Sequence, residues 1–93
     1  MEKEIEQYLV RLVKARGGFA FKFISTNYAG VPDRIVLLPH GKLFFVELKS
    51  KGKYPSKLQK AMFQKIEVLG FAVHVIDSKE KVKELIERGI CTT

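Results

Sequence analysis

The stretch Leu43-Phe-Phe-Val-Glu-Leu-Lys49 constrains this chain more than any other. Five of its first six positions are large and apolar, and successive strand side chains alternate between the two faces. A strand that is apolar on both faces belongs in the middle of a sheet covered above and below. The remaining position is Glu47. It stands two residues before Lys49, so the two side chains leave the same face. A charge inside a covered strand is costly unless it is paired or bound to a cation. The plainer alternative is a strand end emerging into water, with Glu47 and Lys49 as a solvated pair.

The rest of the chain supplies elements to cover such a strand. Ile5, Leu9, Leu12 and Val13 form one apolar stripe, which predicts a helix over residues 2–16 that ends at Gly17-Gly18. Residues 19–24 are rich in aromatic and β-branched side chains and read as a strand. Residues 25–32 hold Asn, Gly and Pro and read as a loop. A short strand follows from Arg34 to Leu38, then a turn at Pro39-His-Gly41, then the strand Lys42 to Lys49 and a basic loop, Lys51 to Pro55. Ser56-x-x-Gln59 matches a capping box. It opens a helix whose stripe is read as Leu58, Met62, Ile66 and Leu69, ended by Gly70. Phe71 to Ile76 reads as a strand. Ser78 caps a last helix carrying Val82, Leu85 and Ile86, stopped by Gly89. The order α-β-β-β-α-β-α predicts an α/β fold, a mixed four-stranded sheet flanked by helices.

One acid lies just upstream of the central strand, in Gly30-Val-Pro-Asp33-Arg34. Read alone, this is a turn, where Gly, Pro and Asp are common. Read with Glu47, it is more. If residues 33–38 and 42–49 pair around the three-residue turn at 39–41, Leu38 faces Lys42, and counting back sets Asp33 opposite Glu47. Two carboxylates at one end of a sheet are what a hard divalent cation needs, with waters completing its shell. Lys49, on the same face, can orient a water or offset charge on a phosphate. Glu2, Glu4 and Glu6 on the first helix also suit a solvated helix N-terminus. Gln59 is explained by its own capping box.

Composition sets the partner. Among 93 residues there are 17 Lys and Arg against 10 Asp and Glu, a net charge of +7, which on so small a chain favours a polyanion. The 46% apolar content suits one globular core, and the expectation is a single domain over 1–93. Residues 49–93 carry ten basic and five acidic side chains, and the densest stretch includes Lys49, Lys51, Lys53, Lys57 and Lys60. One cysteine, Cys91, excludes a disulfide framework and a Cys-rich zinc site, and it reads as inert. No apolar run approaches a membrane span, and the first ten residues lack the apolar core of a signal peptide. The expectation is a soluble, cytoplasmic protein without a membrane partner. His40 reads as a turn residue and His74 as an ordinary strand histidine. Tyr54 and Asn27 read as loop residues, and Lys79, Lys81 and Lys83 as a solvated face.

The ordered set of a helical Glu, Gly30-Val-Pro-Asp33, Glu47-Leu-Lys49 and a Gln at a helix start resembles the VRR-NUC (virus-type replication-repair nuclease) domain. That family sits in the restriction-endonuclease-like superfamily with its PD…(D/E)xK motif, and the resemblance covers roughly residues 2–88. It implies hydrolysis of nucleic-acid phosphodiesters dependent on Mg²⁺ or Mn²⁺. It implies Asp33 and Glu47 as metal ligands, with the main-chain carbonyl of Leu48 as a third oxygen, and Lys49 as the catalytic lysine. Glu6 would be the helix acid, with Glu2 open as a one-turn alternative, and Gln59 would lie near the site. Stand-alone members resemble phage-type nucleases that cut four-way junctions as homodimers; members fused into larger repair nucleases act on flaps or crosslinks. Arg34, Lys51, Lys53, Lys57 and Lys60 would bind the DNA backbone, so cutting is expected to follow DNA structure and not base sequence. The first helix, with Tyr8 off its stripe, and the Phe-rich strand at 19–24 are the two candidate dimer surfaces. The competing readings are a nuclease of the same fold acting on flaps or linear ends, a basic non-catalytic nucleic-acid-binding module, and a small interaction domain whose charge only aids solubility.

Overall fold

The apolar stripe of the first helix lands where the periodicity puts it. The structure, a computed structural model, describes residues 2–91 and the side chains of residues 2–88, so the side chain of Cys91 lies outside what is described. Helix α1 runs Glu2–Ala15 and buries Ile5, Leu9 and Val13. It closes at Gly17, whose φ of 86° is a left-handed value that favours glycine. Tyr8 and Leu12 pack against the same core, so Tyr8 is not a free surface residue.

Four strands follow the predicted order: β1 Phe19–Lys22, β2 Arg34–Leu38, β3 Lys42–Leu48 and, after helix α2 Lys57–Val68, β4 Val73–Ile76. They make one sheet in the order β1-β2-β3-β4. β1 and β3 both run antiparallel to β2, and β4 runs parallel to β3. α2 is the crossover that a parallel pair requires. Helix α3, Lys79–Cys91, continues through Gly89, which therefore does not stop it. Val82 and Ile86 are fully buried on its inner side.

The register of the β2–β3 hairpin is the one counted from the sequence: Leu38 pairs with Lys42 and Arg34 with Val46. His40 and Gly41, at φ values of 70° and 75°, make the turn between them. Alternation then sorts the sheet into two faces. Val36, Leu38, Phe44, Val46, Leu48 and Ile76 point to one, where they join the buried side chains of α1 and α3 in the main core. The other face carries Asp33, Ile35, Leu37, Leu43, Phe45 and Glu47 by the same alternation, and α2 covers only the part of it next to β4.

α2 departs from expectation. Its buried residue is Phe63, while Leu58 and Leu69 are exposed and Met62 and Ile66 only half-buried. Phe63 follows Gln59 by four residues, so the two share a helix face. Because Gln59 reaches the sheet, the helix is turned to bury Phe63 and not the Leu58–Leu69 stripe.

Candidate active site

The two acids singled out by the sequence come together at one end of β2 and β3. Asp33 sits one residue before β2, where the register carries it opposite Glu47. Its Oδ2 accepts a hydrogen bond from the Leu48 N–H at 2.9 Å, tying the loop before β2 to the end of β3. Gly30 makes that loop possible. Its φ is 81°, and a Cβ there would meet the Leu58 carbonyl oxygen at 3.0 Å and the Gln59 Cα at 3.2 Å. Only a glycine lets the Asp33 loop lie this close to the start of α2.

Glu47 is not the solvated strand end of the plainer reading. It is 2% exposed, in the second strand from the sheet's far edge, and is the one buried charged side chain among the described residues. Its Oε2 is held twice, by Lys49 Nζ at 3.1 Å and by Gln59 Nε2 at 2.9 Å. Its Oε1 is buried and has no hydrogen-bond partner. Burial pushes the Glu47 carboxyl above the usual glutamate range, and the nearby charge of Asp33 adds to this; Lys49 and Gln59 pull the other way. A buried acceptor without a partner is costly, and a bound cation at Oε1 is the natural relief.

Gln59 performs both roles that the sequence left as alternatives. Its Oε1 accepts from the Ser56 backbone N–H, and Ser56 Oγ accepts from the Gln59 N–H, completing the capping box. The other end of the same amide donates to Glu47. The helix cap thus fixes the amide that orients the acid.

Glu6 is placed differently. Its carboxylate is paired with Arg34 Nε at 2.8 Å, and Arg34 also donates to the Ala20 carbonyl oxygen at 2.8 Å. The guanidinium expected to face DNA is thereby a clamp between α1, β1 and β2. Glu2 and Glu6 do border one cleft with Asp33, of about 280 Å³, also lined by Lys22. Glu2 is exposed there. Among the described residues, no three Asp, Glu, His or Cys side chains gather as a ready metal-binding group. A cation held by Asp33 and Glu47 would draw its other oxygens from the main chain, water and substrate, as Mg²⁺ commonly does.

Lys51, Lys53, Lys57 and Lys60 are exposed on the loop after β3 and the first turn of α2, as are Tyr54 and Asn27. Lys79 and Lys83 are exposed too, and Lys81 is paired with Asp77 at 2.8 Å. His74 is half-buried in β4, its ring edge-on to Phe44 at 5.3 Å, and burial lowers its pKa. Sequence reasoning missed Lys22 and the Glu6–Arg34 pair. The place of Lys22 follows from the β1–β2 register, in which it stands opposite Arg34 and which could not be counted across the long intervening loop, while the pair depends on how α1 crosses β2. No helix among the described residues is long and apolar enough to cross a membrane.

No family model matches the chain. It is similar to a protein named "Putative nuclease p44" from Acyrthosiphon pisum secondary endosymbiont phage 1, with 44% identity over 79 residues, 85% of each chain. Its fold is similar to a solved structure of a "VRR_NUC domain", with a TM-score of 0.86 and 31% identity over 92% of this chain and 94% of that one.

Proposed function

The chain belongs to the VRR-NUC family of nucleases, and from that premise we propose that it is a divalent-metal-dependent, structure-selective DNA endonuclease that nicks four-way junctions as a homodimer. The observation that carries the catalytic reading is the buried carboxylate of Glu47, one oxygen held by Lys49 and Gln59 and the other without a partner, beside Asp33. Asp33, Glu47 and the Leu48 main-chain carbonyl would hold Mg²⁺ or Mn²⁺. Such an ion polarises a phosphoryl oxygen and lowers the pKa of water.

The chain's own groups do the rest. Water attacks phosphorus in line; one P–O bond forms and one P–O ester bond breaks, leaving a phosphate monoester and a hydroxyl end. Lys49 holds Glu47 in place and presents a positive charge beside the phosphate. Gln59 fixes the Glu47 rotamer. Lys51, Lys53, Lys57 and Lys60 bind the backbone next to the cut without reading bases.

The homodimer rests on size and on an open sheet face. A molecule of 32 × 30 × 21 Å carries one acid pair, and paired nicks in a junction need two. On the face away from the main core, Phe19 and Phe21 stack at 5.6 Å yet stay 63% and 50% exposed, and Leu43 and Phe71 are exposed beside them. Together these side chains leave aromatic and aliphatic surface in water on one side of the sheet. Uncharged aromatic surface suits a second copy, not a phosphate backbone.

Cleavage of a labelled four-way junction, a flap and a linear duplex, each with Mg²⁺, with Mn²⁺ and with EDTA, tests the reading. Paired metal-dependent nicks in the junction are expected. Metal-dependent cutting confined to flap or duplex keeps the nuclease and removes the junction. Binding without cleavage in either metal overturns the enzyme and favours a basic binding module.

A further inference from the structure

A second basic surface lies on the opposite face of the sheet from the Lys51–Lys60 segment. Lys22 stands opposite Arg34 in the β1–β2 register and shares its face, the face of α1. With Lys3 and Arg11 of α1, Lys22 and Arg34 line a groove of about 410 Å³. The Arg34 charge is balanced by Glu6 at 2.8 Å, whereas no ion pair to Lys3, Arg11 or Lys22 is found among the described residues. Three uncompensated cations in one groove repel one another, and a polyanion relieves that repulsion.

The groove is also directional. It shares Glu6 and Lys22 with the smaller cleft that Glu2 and Asp33 border. The two form one trough, cationic where Lys3, Arg11 and Lys22 line it and acidic where Glu2 and Asp33 line it. A strand lying in it would run past the lysines and deliver a phosphate to the acidic end, where a cation is needed to offset the carboxylates.

We propose that this α1–β1 trough is a second DNA-backbone track, in which Lys3, Arg11 and Lys22 bind phosphates on the opposite side of the acid pair from the Lys51–Lys60 segment. The inference rests on the nuclease reading and adds to it a substrate shape. Backbone engaged by both tracks must turn around the end of the sheet, or come from two arms of a branch. The acid pair at that end then meets the DNA where it changes direction. The track needs no base contacts, so it contributes affinity and placement without sequence preference.

The test is the salt dependence of binding to a four-way junction in EDTA, where no cutting occurs. The proteins are the wild type, an Arg11→Gln/Lys22→Gln double variant, a Lys22→Arg variant, and a Lys51→Gln/Lys53→Gln reference. Each phosphate contact removed should flatten the slope of log affinity against log salt by about 0.9, so the Arg11/Lys22 double variant should lose about 1.8. Lys22→Arg keeps the charge and should keep the slope. A wild-type slope in the Arg11/Lys22 variant, beside a flattened one in the Lys51/Lys53 reference, overturns the trough while leaving the nuclease reading intact. No junction binding by the wild type overturns both.

Discussion

The two faces of the sheet obey different rules, though the same strands make them. Toward α1 and α3, the interior is apolar and dry: Leu9, Val13, Val36, Val46, Val82 and Ile86 are fully buried. Toward α2, cover is partial, and the exceptions gather. At one end Glu47 is buried with an unpartnered oxygen; further along, Phe19 and Phe21 stand in water. The interior of the first face serves stability, and its charged side chains, Lys22 and Arg34, are confined to the edge by β1. The second keeps two costly features, a buried charge and exposed aromatics, that folding by itself would remove. Their persistence marks where this molecule meets other molecules.

The largest effect expected on the second face is on chemistry. Glu47→Gln keeps the shape of the side chain and removes the charge, so cleavage should fall to background while junction binding stays at or above the wild-type level; a gel-shift and a cleavage time course read both. Retained cleavage would remove Glu47 from the mechanism.

Folding energetics should show the reverse contrast. Leu9→Ala on the dry face should cost about 3–5 kcal/mol, whereas Phe21→Ser on the open face should change monomer stability by less than about 1 kcal/mol. Urea unfolding of the monomer compares the two, and sedimentation should show Phe21→Ser weakening the dimer. A large loss of monomer stability in Phe21→Ser would mean that the open face belongs to the fold.

Gln59 allows a finer cut through the same region. Gln59→Glu keeps the capping acceptor for the Ser56 N–H but replaces the donor to Glu47 with a second negative charge. Capping is retained, but a second carboxylate against buried Glu47 should lower stability in EDTA, and activity should drop about 10–100-fold, the usual cost of losing a group that orients a metal ligand. Gln59→Ala should lose both. Equal activity in the wild type and Gln59→Glu would leave Gln59 as a helix cap only.

The smallest effect is in pH. Folding raises the Glu47 pKa, burial being the main cause. A carboxyl raised on folding favours the fold in its protonated form. Its contribution is present below the unfolded glutamate pKa of about 4.3 and is lost as pH climbs through the raised value. In EDTA, wild type minus Glu47→Gln should therefore show falling relative stability across that window, and Mg²⁺ should flatten the difference. A difference flat in EDTA would mean that Glu47 titrates normally.

Much of this was legible in the chain. The α1 stripe, the hairpin and its register, the capping box and the element order all rest on local rules of period and turn, and all are present in the structure. The approach of Asp33 to Glu47 followed from the register because a three-residue turn leaves little freedom. What stayed hidden was set by packing between distant elements. Phe63 is buried because α2 is turned toward Glu47, which its own periodicity does not encode. The Glu6–Arg34 pair depends on how α1 crosses β2. Lys22 joins the α1 cations only through a strand pairing that spans residues 23–33.

Mn²⁺ binding, followed by isothermal titration calorimetry on the wild type and Glu47→Gln without DNA, tests the central claim most directly. The account predicts a saturable site in the wild type that is lost or at least tenfold weaker in Glu47→Gln. In the wild type, metal at a hundred times Kd should stabilise the fold by about 2.7 kcal/mol. Equal Mn²⁺ binding by both proteins, or by neither, would contradict it.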